Sequence, residues 1–263
     1  MPKQIQLPNG VIIVHHNQSE TDFVYKEVFE EHCYLKHGIV LPEEGCVFDV
    51  GANIGLFSLY ASRLQPSLKI FAFEPIPPLY QLLDENRRLC GMRRVQAFPY
   101  GLSSKAGRES FIYYPRNSIM SGRYADDRAD REIVKTYLRS QLQEADGKRS
   151  VPDALIDTVA KGALAVERFD CELRTLSEVI AAQGIVQIDL LKLDVEKSEV
   201  DVLLGIADAD WPKIRQLVIE VYDDSGQLDL VGNMLRNKGF RVVTEQDACL
   251  LGSPVHMVYA RRG

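Results

Sequence analysis

Acidic side chains gather where apolar runs stop. Asp49 lies in "CVFDV" and is followed by the glycine turn "GANIG" (residues 51–55). Glu74 ends "LKIFAFE", Asp194 and Glu196 sit in "LLKLDVE", and Glu220 and Tyr222 in "LVIEVYDD". A buried strand, a glycine turn and a helix together form the usual grip on a nucleotide-type cofactor. A dinucleotide site wants Gly-x-Gly-x-x-Gly in that turn, so that the backbone can approach a pyrophosphate. Here Gly51 and Gly55 are present, but Asn53 replaces the middle glycine and Asp49 stands just before the turn. An acid there repels a pyrophosphate and suits a cationic amino-acid moiety. Glu74 follows Gly51 by 23 residues, where a carboxylate accepts both ribose hydroxyls. The combination favours S-adenosylmethionine, which carries an ammonium and a sulfonium but no phosphate, over NAD.

The elements that hold these residues follow from the hydrophobic pattern. "CVFDV", "LKIFAFE" and "VQAFPYGLS" read as strands alternating with the helices "IGLFSLYASRL" and "PPLYQLLDENRRLCG". "RFDCELRTL", "IDLLKLDVE", "IRQLVIEVYDD", "FRVVTEQ" and "VHMVYARR" continue the strands. Such alternation predicts a parallel sheet covered on both faces, with an antiparallel end. Along a strand Asp194 and Glu196 share one face, as do Glu220 and Tyr222. Both pairs fall at the carboxyl edge of the sheet, where open α/β sheets bind ligands.

The N-terminal segment (1–44) reads as a hairpin turned at Pro8-Asn9-Gly10 and an amphipathic helix capped by Ser19, Thr21 or Asp22. The rhythm breaks over 104–163, an insert of lid type with one aromatic strand, a glycine-bearing loop and a polar helix from Asp130 to Gln143. The halves 45–103 and 164–263 complete one domain spanning 1–263.

The formal net charge of -6 argues against a nucleic-acid partner. The local basic clusters "ENRRLCGMRR" and "SGRYADDRADR" read as solvated helix faces. Five cysteines without a Cys-x-x-Cys pair suggest neither a disulfide framework nor a zinc site. The sequence has neither a signal-peptide core nor an apolar run long enough for a membrane span, so a cytoplasmic location is expected.

Several stretches then carry a resemblance. "FDVGANIG", "FEP" and "LLKLDVEKSEVDVL" resemble the FkbM-type class I methyltransferases. "NSIMSGRYAD" and "VIEVYDDSGQL" are similar to the O-methyltransferase domains of modular polyketide and nonribosomal peptide synthases. The likeness runs from about Gln6 to Arg261. It implies a Rossmann-like fold with a seven-stranded, mostly parallel sheet and S-adenosylmethionine as methyl donor. It also implies a hydroxyl or enol acceptor, held on the phosphopantetheine of an acyl or peptidyl carrier protein within a larger synthase. The cofactor set is then Asp49, Gly51, Asn53, Ile54, Glu74, Pro75, Gly101, Leu102, Ser103 and Asp194. A free-standing sugar or small-molecule O-methyltransferase and a non-catalytic cofactor-binding domain are the alternatives.

In those relatives the second acidic strand reads Glu-Val-His-Asp, with the histidine as base assisted by the glutamate of Asp-Val-Glu. This sequence has Tyr222 in the histidine position. A tyrosine with pKa about 10 is a poor base at neutral pH. The catalytic candidates are therefore Glu196, Tyr222, Asp194 and Glu220, with His37 and His256 as alternative bases. A more acidic acceptor, such as an enol, would let a carboxylate suffice. His15 and His16 read as surface residues. In "MSGRYADD", Gly122 reads as a hinge, Met120 and Tyr124 as covers for an acyl chain, and Arg123 as a phosphate contact. Asp223-Asp224 could take magnesium, but the resemblance implies a metal-independent reaction.

Overall fold

A computed structural model describes residues 3–125, 127–145, 152–246 and 250–263. The hairpin β1 (Lys3–Gln6) and β2 (Ile12–His15) leads into helix α1 (Gln18–Tyr25), which continues as a π-helical turn, Lys26–Glu30. Asn17, not Ser19, Thr21 or Asp22, caps α1. Its short side chain accepts from the Ser19 amide at 3.0 Å and from the Glu20 amide at 3.5 Å.

The main chain then alternates. In order come β3 (Cys46–Val50), α2 (Leu56–Leu64), β4 (Lys69–Phe73), α3 (Pro77–Leu89) and β5 (Val95–Phe98). Strands β6 (Gly101–Leu102) and β7 (Gly107–Tyr113), helices α4 (Asp127–Ala145) and α5 (Asp153–Ala163), and β8 (Glu167–Arg174) form the excursion. The chain returns with α6 (Leu176–Ala182), β9 (Leu190–Leu193), α7 (Glu199–Leu204), β10 (Gln216–Tyr222), α8 (Gln227–Asn237), β11 (Phe240–Glu245) and β12 (Val255–Arg262).

Seven strands form one sheet in the order β11-β12-β10-β9-β3-β4-β5. Only β12 runs antiparallel to its neighbours. This is the seven-stranded, mostly parallel, Rossmann-like sheet that the resemblance implies. Alternate residues of β3 feed opposite cores. Val47 faces α2, α3 and the N-terminal cap, while Cys46, Phe48 and Val50 face α6, α7 and α8. Strand order reverses between β3 and β9, so a crevice opens at their carboxyl ends.

The segment 104–163 is only partly a lid. β7 pairs antiparallel with β8 over Gly107–Tyr113, and with β6 they make a separate three-stranded sheet. The cover proper is the α4–α5 pair; α5, which the sequence reading did not anticipate, buries Ile156 and Ala160. Tyr114, Met120 and Leu164 form a small core of their own under it. Cys33, Cys46, Cys90 and Cys171 carry free thiols, whereas Cys249 lies outside the described residues. Among the described residues no helix is long and apolar enough to cross a membrane.

Candidate active site

The glycine turn is shaped by its neighbours. Gly51 has φ +75°, and a Cβ there would fall 1.7 Å from the Asp194 carbonyl oxygen. Its missing side chain lets the turn after β3 pack directly on the turn after β9. Asn53 occupies the left-handed region at φ 49°, which asparagine tolerates better than most residues. Its amide donates to Glu74 Oε2 at 2.9 Å, and its side-chain amide donates to Ser118 Oγ at 3.3 Å. From below, Asn86 of α3 is 2 % exposed and staples three segments. It accepts from the Val14 amide at 2.7 Å and donates to Val14 O at 3.0 Å and to Ile54 O at 2.9 Å.

Behind the turn lies a buried ion pair. Asp49 and Lys192 are register partners on β3 and β9, 0 % and 3 % exposed as side chains, and Nζ lies 3.2 Å from Asp49 Oδ1. The same ammonium donates to Gly51 O at 2.9 Å and lies 3.4 Å from Asp194 Oδ2. Ser58 supplies the other Asp49 oxygen with a hydrogen bond of 2.7 Å. Burial works to lower the Lys192 pKa, but Asp49 and Asp194 outweigh it and hold the ammonium above its usual range. Tyr34, from the N-terminal cap, donates to Asp194 Oδ2 at 2.8 Å, and burial beside that carboxylate keeps its phenol protonated.

In front of the turn is a cavity of about 360 Å³, within the usual range of small-molecule sites. Gly51, Asn53, Ile54, Glu74, Pro75, Gly101, Leu102, Asp194, Glu196 and Glu220 all line it. The structure thus brings these sequence candidates together. Three others lie outside the lining. Asp49 sits behind the turn, spent on Lys192 and Ser58 rather than aimed at a guest. Ser103 accepts from Arg123 at 3.0 Å, beside α7. Tyr222 carries Lys197 Nζ 4.4 Å over its ring. The alternative bases lie elsewhere too. His37 meets Glu245 at 2.5 Å, and His256 borders a separate, much smaller cavity.

Glu74 is 4 % exposed, and burial lifts its carboxyl to about 7, even though the Ile76 and Asn53 amides work to lower it. Asp194, Glu196 and Glu220 each bring a carboxylate oxygen within 4.8 Å of the others. Burial, then mutual repulsion, pushes Glu196 and Glu220 well above the ordinary carboxylate range. With Glu20 and Glu27 also in the lining, acids dominate over Lys192, Arg116 and Arg123. Such a cavity fits a donor carrying an ammonium, a sulfonium and a ribose diol, and it disfavours a pyrophosphate.

Other parts of the lining were not foreseen. His16 lines the cavity rather than the surface, 3.5 Å from Glu20, and His15 is buried against Thr21. Glu20 accepts from the Ser118 amide and hydroxyl at 2.9 and 2.6 Å, which ties α1 to the loop before the lid. The visible signal was an acid three residues after Asn17 on an otherwise amphipathic helix. Met120 lines the cavity, while Tyr124 lies outside and donates to Asp201 at 2.8 Å. Arg123 already pairs with Asp201 at 3.3 Å and Glu109 at 3.7 Å. Gly122 is small for close packing rather than hinging, since a Cβ there would lie 2.9 Å from Glu196 Cβ. Asp223 accepts from the amide of Gly226, the N-cap residue of α8, at 2.8 Å.

Residues 49–242 match the family model for the methyltransferase FkbM domain. The chain belongs to the FkbM methyltransferase family. It is 41% identical over 261 residues to 31-O-demethyl-FK506 methyltransferase FkbM of Streptomyces tacrolimicus, covering 98% of this chain and 96% of that one. It is 40% identical over 266 residues to part of the AMB antimetabolite synthetase AmbE of Pseudomonas aeruginosa, covering 98% of this chain but spanning only 12% of AmbE. Methyltransferase sdnD of Sordaria araneosa is 37% identical, covering 92% of this chain and 90% of its own. This FkbM-type chain is accordingly an S-adenosylmethionine-dependent enzyme. When bound, that cofactor supplies a methyl group already activated on sulfur. The chain's own work is to orient it, exclude water and take a proton from the acceptor.

Proposed function

We propose that this enzyme methylates a hydroxyl or enol oxygen on an apolar acyl chain presented by an acyl or peptidyl carrier protein, with Glu196 as the general base. The observation that carries the reading is that one cavity joins two environments. Its floor holds Asp194, Glu196 and Glu220, and its roof is Ile133, Val134 and Leu138 of α4 with Val159 of α5. A roof of that kind accommodates an acyl chain and offers a sugar no hydrogen-bond partners.

Glu196 compensates for the missing histidine. A carboxylate whose pKa is raised by burial and by neighbouring carboxylates is a stronger base than an ordinary one, and a base works best with a pKa near the working pH. Glu220 and Asp194 set that basicity, and Tyr34 orients Asp194. The carrier-bound form of the acceptor is supported by the match to a small part of the much longer AmbE. A free-standing small-molecule reaction is the second reading, supported by the near full-length match to FkbM, whose name gives 31-O-demethyl-FK506 as its substrate.

The test supplies S-adenosylmethionine with 3-hydroxyacyl- and 3-ketoacyl-loaded carrier proteins, the matching N-acetylcysteamine thioesters and a methyl glycoside, and reads methyl gain by mass spectrometry. Transfer to a loaded carrier, lost in Glu196→Gln, is the expected result. Transfer to the glycoside alone would overturn the acyl reading, and a fully active Glu196→Gln would overturn the base. Equal rates on the carrier and the thioester would favour the free-standing reading.

A further inference from the structure

Glu196 and Lys197 are consecutive non-glycine residues in the left-handed region, with φ 47° and 71°. Each is disfavoured relative to an ordinary conformation, so the pair persists only where its surroundings over-determine it. The surroundings are specific. Lys197 Nζ lies 2.5 Å from Asp130 Oδ1, and the Asp130 side chain is 2 % exposed. Tyr114 donates to the other Asp130 oxygen at 3.0 Å. The face of the Tyr222 ring lies 4.4 Å beneath the same ammonium, and the Lys197 amide donates to Glu199 Oε1 at 3.0 Å. Asp130 belongs to α4, the helix that roofs the cavity with Ile133, Val134 and Leu138.

We propose that Lys197, held between the Tyr222 ring and the Asp130 carboxylate, is a positioning residue that makes presentation of Glu196 depend on the seating of α4, and that serving as its platform is the role of tyrosine at position 222. The proposal rests on the reading of Glu196 as base. When α4 is seated, Asp130 holds Lys197 and the preceding Glu196 is locked in its left-handed turn, facing the cavity. When α4 lifts, Asp130 leaves with it and the turn loses its main restraint. The base is thereby formed under a closed roof and relaxed under an open one. It is the face of the aromatic ring that attracts the cation.

Two readouts test this without any acceptor, so a failed transfer assay leaves them standing. The first is hydrogen exchange of the α4 amides over residues 127–139. The second is a carboxyl carbon-13 titration of Glu196, assigned by its disappearance in Glu196→Gln. The groups facing Glu196 are Glu220, Asp194, Glu199 and Asp130. Tyr222→Leu and Tyr222→Phe change no charge in the titrated range, so any shift they cause reports geometry. Tyr222→Leu is expected to speed α4 exchange about tenfold and to move the Glu196 midpoint by at least half a pH unit, with Tyr222→Phe matching the native protein in both. Lys197→Met is expected to speed exchange at least as much. Native behaviour in Tyr222→Leu or Lys197→Met overturns the clasp. A Tyr222→Phe protein that behaves like Tyr222→Leu overturns the role assigned to the ring. Faster exchange with an unmoved Glu196 midpoint in Tyr222→Leu reduces the clasp to a structural contact and overturns its link to the base.

Discussion

Lys192→Met removes the ammonium that sits between Asp49 and Asp194. The methionine keeps most of the volume, so the perturbation is electrostatic. What remains is an Asp49 carboxylate with 0 % exposure, whose nearest cation had been 3.2 Å away, and a Gly51 carbonyl that has lost a 2.9 Å donor. Removing one member of a buried pair costs about 3–5 kcal/mol, because the surviving charge is left without compensation. The orphaned carbonyl adds about 1 kcal/mol. The Ser58 hydroxyl stays on Asp49 and offsets part of this, so the expected loss is about 4 kcal/mol in urea unfolding at pH 7. The second arm is Asp49→Asn/Lys192→Met, which replaces the stranded charge with an amide of similar shape. Here the deficit is expected to shrink to about 1–2 kcal/mol, so the two sites couple by 2 kcal/mol or more. A single variant within 1 kcal/mol of the native protein would refute the reasoning, as would a double variant no more stable than Lys192→Met alone. The first outcome would mean that the pair is solvated, and the second that packing rather than charge sets the cost.

Glu74 is lifted to about 7 by burial, so without ligand it is largely neutral below that pH and ionised above it. Ribose hydroxyls donate to the ionised form, so the Kd for S-adenosylhomocysteine should rise about tenfold from pH 8 to pH 6 by calorimetry, and Glu74→Gln should remove that step. Asn86→Leu deletes three buried hydrogen bonds to Val14 and Ile54 and strands their partners, with an expected loss of about 2–4 kcal/mol in urea unfolding. Gly51→Ala forces a Cβ to within 1.7 Å of Asp194 O, so cofactor binding should fall at least a hundredfold in calorimetry while Gly91→Ala, with open space around it, binds normally.

The sheet was legible because β3, β4, β9 and β10 are covered on both faces and therefore read as near-continuous apolar runs. Their carboxyl ends placed Glu74, Asp194, Glu196 and Glu220 at one edge without knowledge of any contact. The placement of Asp49 behind the turn had a visible signal. "CVFDV" and "LLKL" each hide one charged residue, of opposite sign, in an apolar strand, and a charge is rarely fully buried unless paired. Their shared register, Asp49 opposite Lys192, is what the structure adds. The lid was harder, since its anchors join residues far apart in sequence. β7 meets β8 across two intervening helices, and Asp130 finds Lys197 across 67 positions. Nothing local in "GRYADDRADR" distinguishes Asp130 from the other aspartates of the stretch, and nothing in "VIEVYDD" says that Tyr222 offers its ring face to Lys197.

The same geometry bears on the proposal that Glu196 serves as base where the resemblance implies a histidine. A histidine base starts neutral and ends cationic, whereas Glu196, as the proposed base, would start anionic and end neutral. In a cavity already lined by Asp194, Glu220 and Glu74, the anionic start is costly on its own, which is why burial and repulsion raise the Glu196 pKa. A cationic methyl donor, when bound in front of it, would lower that cost. As the proposed base, Glu196 would lose its own charge on taking the acceptor's proton, which would relieve its repulsion with Glu220 and Asp194. A histidine there would instead gain a positive charge on taking the proton, which the neighbouring carboxylates would favour. On the same proposal Tyr222, with Lys197 over its ring, would serve the seating of α4 rather than the proton transfer.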